Sequence, residues 1–123
     1  MTHNIEELTT LLTTIKDSGT LVVVEGQRDA SALAALGITH TATLSRKPLF
    51  QIAEEIAANH REVVLLTDLD KAGRELYGRL YSCLTALGVR VDNRLREFLM
   101  KNTELRQIEG LVSYLEKNRL FLE

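Results

Sequence analysis

The segment that decides the fold is VVLLTDLDKAG, residues 63–73. It begins with four apolar residues, which is typical of a strand buried on both faces of a parallel sheet. The run ends in a polar turn that contains Asp68 and Asp70, and a helical pattern follows over about residues 72–87. This order predicts a strand–turn–helix unit whose two aspartates lie at the carboxyl end of the strand.

A second segment upstream has the same form. Residues 21–26, LVVVEG, are again four apolar residues followed by an acid, Glu25. Apolar residues spaced three and four apart predict a helix on each side of this segment, one at residues 4–17 and one from Ala30 to Leu36. The chain therefore contains two buried strands that each end in acidic residues.

Four weaker elements complete the prediction. They are a strand at residues 40–44, a helix that opens at Pro48, a shorter and more exposed strand at 89–92, and a closing helix marked by Leu105, Ile108, Leu111, Val112 and Leu115. Alternating strands and helices predict an α/β fold, a three-layer α/β/α Rossmann-like arrangement with a roughly four-stranded parallel sheet. Right-handed crossovers then bring the carboxyl ends of all strands to one edge, which holds the ligand site in open sheets of this class.

Length and composition narrow the classes of protein to consider. With 123 residues, 45% hydrophobic and 26% charged, the chain is expected to form one domain over residues 1–123 with its core at about 20–115. The net charge of −2 does not indicate general nucleic-acid binding, although it permits a local basic rim. We expect a cytoplasmic location and no membrane association, because no signal peptide or membrane-length apolar run is visible.

The candidate site consists of three carboxylates. Glu25 follows the first strand, and Asp68 and Asp70 follow the third, so they converge if these two strands are neighbours. Converging carboxylates repel one another unless a cation relieves the repulsion. Mg²⁺ prefers such oxygen ligands, with Mn²⁺ as a substitute. Gly26 and Gly73 would let the backbone approach a ligand closely. For any one acid, the alternative is a turn or a helix N-cap.

These motifs resemble those of the Toprim domain family. The family has one strand that ends in Glu-Gly and a later strand that ends in Asp-x-Asp, which here read VVVEGQRD at residues 22–29 and LLTDLDKAG at 65–73. The resemblance spans about residues 20–115. Toprim domains occur in topoisomerases, bacterial primases, certain nucleases and a recombination mediator. This chain is most similar to small stand-alone members and to the Toprim part of the ribonuclease that matures 5S ribosomal RNA.

The resemblance implies roles for individual residues. Glu25 corresponds to a general acid or base that can also touch metal, and Asp68 and Asp70 correspond to the pair that holds Mg²⁺. Asp29 would then be a supporting or surface acid. The chemistry of the nucleases and topoisomerases in this family is phosphodiester cleavage or transesterification.

A basic rim is expected beside the acids. Arg46 and Lys47 follow the second strand, and Lys71 opens the helix after the third. Such residues could hold the phosphates of RNA or DNA without reading base sequence. The alternative is a solvated face of mixed charge, in which Lys71 pairs with Glu75 one helical turn later.

Several functions remain open from the sequence. The leading one is a Mg²⁺-binding, nuclease-like protein that acts on nucleic-acid phosphodiester bonds. The second is a non-catalytic adaptor that binds nucleic acid or protein and retains the metal site. The third is a small phosphotransferase of an unrelated α/β fold. In such enzymes the Asp-x-Asp follows the first strand, whereas here it follows the third, so this function is disfavoured. Whether the chain is an enzyme by itself is not decided.

A homodimer or a protein partner is a further expectation, because a domain this small has only a modest basic rim of its own. The candidate contact is a face of the terminal helix, formed by Leu111, Tyr114, Leu115, Phe121 and Leu122. The same residues form the expected core stripe of that helix, so the alternative is that they are buried.

Overall fold

Four parallel strands form the centre of the molecule. In the computed structural model, which describes residues 2–119, the strands are β1 (Leu21–Val24), β2 (Thr41–Thr43), β3 (Glu62–Leu65) and β4 (Arg90–Asp92). Their order in the sheet is β2-β1-β3-β4. β1 and β3 are therefore neighbours, with Val23 opposite Leu65. The predicted four-stranded parallel sheet is confirmed.

Helices cover both faces of this sheet. Those within the described residues are α1 (Thr2–Ser18), α2 (Gln27–Ala35), α3 (Leu49–Asn59), α4 (Lys71–Ala86), α5 (Arg94–Asn102), the short 3₁₀ helix η1 (Ile108–Gly110) and α6 (Leu111–Arg119). The core under one face contains residues of α1, α2, α5, η1 and α6, and the core under the other contains residues of α3 and α4. The three-layer α/β/α class is confirmed. Between residues 2 and 119, no helix combines the length and the apolar character needed to cross a membrane.

The continuous apolar runs are explained by burial of the central strands on both sides. Val22 and Val24 of β1 belong to the core beneath α1 and α2, whereas Leu21 and Val23 belong to the core beneath α3 and α4. All four are at most 5% exposed. No position of β1 faces solvent, so its sequence has no reason to alternate between apolar and polar residues.

Two glycines end helices as the sequence predicts. Gly37 follows α2 with φ of +85°, and Gly88 follows α4 with φ of +83°. A left-handed residue at this position closes the last turn, and only glycine adopts that conformation without strain.

The last third of the chain differs from the prediction. The helix α5 was not predicted, and the predicted closing helix begins only at Leu111, after an irregular segment at 103–107 and η1. In this segment the carbonyl of Arg106 accepts a hydrogen bond from Leu69 N–H, 2.8 Å away. The helical spacing of Leu105 and Ile108 is therefore coincidental, because tertiary contacts to the turn after β3 determine the backbone there.

Apolar residues of two predicted helices differ in burial. Leu87, the last residue of the helical pattern predicted at 72–87, is 45% exposed because it lies at the end of α4, beyond the core. Leu111 and Leu115 of the candidate contact face are buried in the core, at 0% and 8% exposure. They are core residues and offer no free interface. Phe121 and Leu122 lie outside the described residues.

Candidate functional site

The centre of the sheet contains a topological switch point. From β1 the chain crosses to β2 on one side, and from β3 it crosses to β4 on the other. A crevice forms at the carboxyl ends of two strands where the connections diverge in this way, and ligands bind there in open α/β sheets. Glu25 follows β1 and Asp68 follows β3, on the two sides of this crevice.

Glu25 and Asp68 are in direct contact. The backbone N–H of Asp68 donates a hydrogen bond to Oε2 of Glu25, 2.8 Å away. These residues are 43 positions apart in sequence, and the adjacency of β1 and β3 brings them together. Glu25 therefore fixes the turn in which Asp68 lies, and the two carboxylates belong to one cluster.

Asp68 and Asp70 also accept backbone hydrogen bonds. Oδ1 of Asp68 accepts the N–H of Ile108 at 2.9 Å. Oδ1 of Asp70 accepts the N–H of Gly73 at 2.8 Å, so Asp70 is the N-cap of α4. A helix N-cap was the alternative predicted for any one of these acids. Within the described residues, no hydrogen bond engages the second oxygen of either carboxylate. That oxygen is the atom of each aspartate that could bind a ligand.

Asp29 lies behind the cluster and is not a surface acid. Its side chain is 7% exposed, and Oδ2 accepts the N–H of Gly26 at 3.1 Å. This contact is the acidic half of a capping box at the start of α2. Asp29 therefore shapes the turn that follows Glu25.

The charges of the cluster act on one another. Burial raises the pKa of Glu25 above its usual value, and the nearby charges of Asp68, Asp29 and Asp70 raise it further, against the hydrogen bond from Asp68 N–H. Burial also raises the pKa of Asp29, with Asp68 and Glu109 adding to the effect. The site thus holds mutually repelling acids, and a cation at this point would lower the free energy of the folded state.

Gly73 is required by the protein backbone itself. A Cβ at this position would lie 2.0 Å from the carbonyl oxygen of Asp68. Oγ1 of Thr67 donates to the carbonyl of Gly73 at 2.7 Å, so the turn and the first turn of α4 are in close contact. Packing against the Asp68 carbonyl therefore gives a reason for glycine at position 73 that does not depend on a ligand. Gly26 has no such contact, since a Cβ there would meet nothing within 4 Å.

Arg96 is the main feature of the site that the sequence did not predict. It lies on α5, is 3% exposed, and donates through Nη1 to the carbonyl and Oγ1 of Thr67 and through Nη2 to the carbonyl of Asp68. Its guanidinium carbon lies 4.5 Å from the centre of the Tyr77 ring, a cation–π contact. Arg96 therefore places a buried positive charge directly behind the acidic turn.

No sequence signal identifies Arg96 in advance. An arginine among the charged residues of a short helix is usually exposed. The burial of this one depends on carbonyl groups from the turn after β3 and on a ring from α4, which meet only in the folded protein. The same is true of the Ile108 N–H that binds Asp68.

The predicted basic residues are all exposed, and Lys47 is already paired. Nζ of Lys47 lies 2.8 Å from Oε2 of Glu55. The anticipated pairing of Lys71 with Glu75 is absent from the ion pairs of residues 4–118. Arg46 and Lys71 are thus the cations of this set that are most available to a phosphate.

The cluster is not a closed cage of ligands. Between residues 4 and 118, no group of three or more His, Cys, Asp or Glu side chains is arranged to hold a metal ion. Mg²⁺ commonly binds one or two carboxylates and completes its shell with water and substrate phosphates. The free oxygens of Asp68 and Asp70 fit this open type of binding. Together with Glu25 they do not form a closed site of three carboxylates.

Comparison with protein families identifies the fold family. The model of the family described as Toprim-like matches residues 22–104, which include both acidic motifs and α5. The chain belongs to the Toprim-like family. The predicted resemblance is confirmed at the level of the family.

Related Toprim-like chains occur in archaea. A UPF0292 protein of Methanocaldococcus jannaschii is 36% identical over 104 residues, covering 81% of this chain and 80% of the relative. A UPF0292 protein of Methanosarcina barkeri is 36% identical over 123 residues, covering 96% of this chain and 85% of the relative. This chain is similar to these proteins over most of their length.

Two solved structures share the Toprim-like architecture. A protein from Aquifex aeolicus superposes with a TM-score of 0.74 at 28% identity, over 85% of this chain and 95% of that one. The Aquifex aeolicus primase, in a structure of its zinc-binding and RNA polymerase domains, superposes with a TM-score of 0.54 at 23% identity. The match covers 87% of this chain and 27% of the primase, and it shows a shared fold alone.

Proposed function

We propose that this chain binds Mg²⁺ and acts on the phosphodiester bonds of nucleic acid. The observation that supports this most directly is the 2.8 Å hydrogen bond from Asp68 N–H to Glu25, which joins acids from two strands at the switch point. Membership of the Toprim-like family supports an association with nucleic acid. The acids that the family motif requires are all retained.

The three acids would have different roles in the reaction. Asp68 and Asp70 would hold the metal through the oxygens that the backbone leaves free. Glu25 uses Oε2 to accept Asp68 N–H, so its Oε1 would be the atom that exchanges a proton with the reacting oxygen or with water. When bound, Mg²⁺ would supply stabilisation of the negative charge on the attacked phosphate and on the leaving oxygen.

The basic rim would position the substrate. Arg46 and Lys47 lie on the loop after β2, next to the strand that bears Glu25, and Lys71 opens α4 next to Asp70. Cations on both sides of an acidic centre can hold the phosphates that flank a reacting bond. These contacts would orient the backbone without selecting a base sequence.

Calorimetry tests the metal site. Mg²⁺ and then Mn²⁺ are titrated into the wild type and into an Asp68→Asn/Asp70→Asn variant. The matched control is Asp17→Asn/Glu54→Gln, which changes the net charge equally at exposed acids outside the site. We expect binding by the wild type and the control and none by the first variant. Equal binding by all three proteins would place the metal elsewhere.

A cleavage assay tests the reaction. End-labelled single-stranded, hairpin and duplex RNA and DNA are incubated with each protein and Mg²⁺. Cleavage by the wild type and the control, and none by Asp68→Asn/Asp70→Asn, is the expected result. Cleavage that persists in that variant would argue against a role for these acids in the reaction.

A non-catalytic adaptor is the second candidate, and one observation favours it. Glu25, Asp68 and Asp70 each accept a backbone N–H already, so they serve to fix turns whether or not metal is present. On this hypothesis the wild type binds nucleic acid equally well in EDTA and in Mg²⁺ and cleaves none of the substrates. Asparagine keeps the acceptor oxygen, so the double variant would bind as the wild type does.

A further inference from the structure

Phe50 is the most exposed large hydrophobic side chain of the described residues. Its side chain is 60% exposed, whereas Tyr81, Leu87 and Met100 have 40–46% exposure. Single exposed apolar residues are common on protein surfaces, so exposure alone does not indicate a function. The position of Phe50 in the fold is the informative observation.

Phe50 lies at the same edge of the sheet as the acids. It is in the first turn of α3, which follows the loop after the carboxyl end of β2. At the start of this loop, Leu44 N–H donates to the carbonyl of Val24, 3.2 Å away, and Val24 immediately precedes Glu25. By contrast, Leu87 follows the last turn of α4 and lies at the opposite edge.

The helix that presents Phe50 is firmly held. Ile52, Ala53 and Ile56 of α3 are buried at 7% exposure or less, in the core shared with α4. Phe50 is not part of that core cluster. A ring on an anchored helix has little freedom to lose on binding, which makes it an efficient contact for a planar ligand.

The net charge of the protein favours base stacking over electrostatic attraction as the source of affinity for nucleic acid. The net charge is −2 and the pI is about 5.9, so electrostatic attraction to a nucleic acid is weak overall. Stacking of a base on an aromatic ring supplies affinity that does not depend on charge, and every base has a face that can stack. Arg46, on the loop that precedes α3, is exposed and could contact the phosphate beside such a base.

We infer that Phe50 stacks on an unpaired base of a single-stranded nucleic acid bound along the acidic edge. The inference rests on the proposed function, and it specifies a single-stranded segment as the substrate class. Bases in an intact duplex are stacked on one another and do not present a face to the ring, so a duplex would not make this contact.

The absence of tryptophan from the chain allows a direct test. Phe50→Trp introduces one fluorescent reporter at the proposed contact, and Leu87→Trp is the control at the opposite edge. With Ca²⁺ in place of Mg²⁺ to keep the strands intact, each protein is titrated with a single-stranded oligouridine, an oligothymidine, a duplex, and an abasic strand of equal length. We expect saturable quenching of Phe50→Trp by the two base-bearing single strands. We expect none by the abasic strand or the duplex, and none for Leu87→Trp.

Affinities measured by anisotropy of labelled strands complete the test. Phe50→Ala should weaken single-strand binding by about 5- to 100-fold, and Phe50→Tyr should stay within about twofold of the wild type. Binding of an abasic strand should be equal for all three proteins, because it involves phosphates only.

The outcomes separate the inference from the proposed function. Single-strand binding without quenching at position 50, or with no loss in Phe50→Ala, overturns the inference and leaves the proposed function intact. Fluorescence at position 50 that depends on protein concentration without any oligonucleotide also overturns it, because the ring then contacts another protein chain. If the wild type binds no oligonucleotide, both fail.

Discussion

At the scale of single residues, Arg96 is the buried side chain that holds the acidic turn through hydrogen bonds to Thr67 and Asp68. Its planar guanidinium donates to two backbone carbonyls and one hydroxyl in the turn after β3. These acceptors are buried or half-buried, and removal of their donor leaves them without a partner. A lysine retains the charge but has no fork to serve both carbonyls at once.

We therefore expect Arg96→Met to lower the free energy of unfolding by about 2–4 kcal/mol and Arg96→Lys by a smaller amount. The control is Arg94→Met on the same helix, since Arg94 is exposed and pairs with Asp92, and an exposed ion pair contributes little to stability. Urea denaturation measures all three values. Similar losses at positions 94 and 96 would contradict the role given to Arg96.

Glu25 leads to a prediction on pH. Because folding raises its pKa, the folded protein binds this proton more tightly than the unfolded chain does. The contribution of Glu25 to stability therefore falls as pH rises through its folded pKa. In EDTA at pH 7, Glu25→Gln should therefore melt above the wild type, and the difference should shrink as pH falls through the pKa of Glu25.

Glutamine keeps the oxygen that accepts Asp68 N–H, so this substitution tests charge and leaves the hydrogen bond possible. Glu54→Gln, at an exposed acid on α3, is the control, and its effect on the melting temperature should not change with pH in the same way. A Glu25→Gln variant that melts below the wild type at pH 7 would indicate that the carboxylate is stabilised in the folded protein.

At this scale the sequence predicts the acids but not what surrounds them. Glu25, Asp68 and Asp70 could be found because each follows a run of apolar residues, and strand ends meet at one edge of a parallel sheet. Their roles in binding and reaction remain predictions. Arg96 could not be found, because its environment is made of backbone groups from distant positions.

At the scale of elements, the turn from β3 into α4 is the most constrained connection near the site. Gly73→Ala should lower the free energy of unfolding by roughly 2 kcal/mol or more, because its Cβ would overlap the Asp68 carbonyl and the backbone would have to move. Gly78→Ala, in the same helix with nothing within 4 Å of its Cβ, should instead stabilise the protein by about 0.5–1 kcal/mol.

Chemical denaturation of both variants provides the comparison. The two substitutions add the same methyl group to the same helix, so opposite signs isolate the close approach at position 73. A stabilising effect of Gly73→Ala would mean that the turn has room for a side chain, contrary to the geometry described above.

Elements were predicted well where burial extends over both faces and poorly where it does not. β1 is a run of four buried apolar residues, and β3 has three buried apolar residues after the exposed Glu62, a pattern typical of central parallel strands. α5 has only Leu95, Phe98 and Leu99 as buried apolar residues, and charged residues lie between them. Leu105 was predicted to lie in the closing helix because apolar spacing does not reveal that the backbone at 103–107 binds the turn after β3.

At the scale of the whole molecule, the small number of cations predicted beside the acids limits how strongly salt can affect nucleic-acid binding. If Arg46, Lys47 and Lys71 each neutralise one phosphate of a single strand, the logarithm of the binding constant should fall with the logarithm of salt concentration with a slope of about −2. Changing all three to glutamine should bring the slope close to zero.

Anisotropy titrations over a range of KCl concentrations measure this slope. Lys101→Gln, an exposed lysine near the end of α5, is the control and should leave it unchanged. A slope much steeper than that of three contacts would mean that other cations face the strand.

The contacts of Asp68 also determine when the site can assemble during folding. Its backbone N–H bonds to Glu25 across 43 residues, and its carboxylate bonds to the Ile108 N–H across 40 residues. Contacts between distant positions form late, because long loops must close first. A chain emerging from the ribosome cannot complete this turn until residue 108 has left the exit tunnel. The backbone of Asp68 can meet Glu25 as soon as β3 has joined β1, whereas its carboxylate gains its own partner only after 40 further residues have been made.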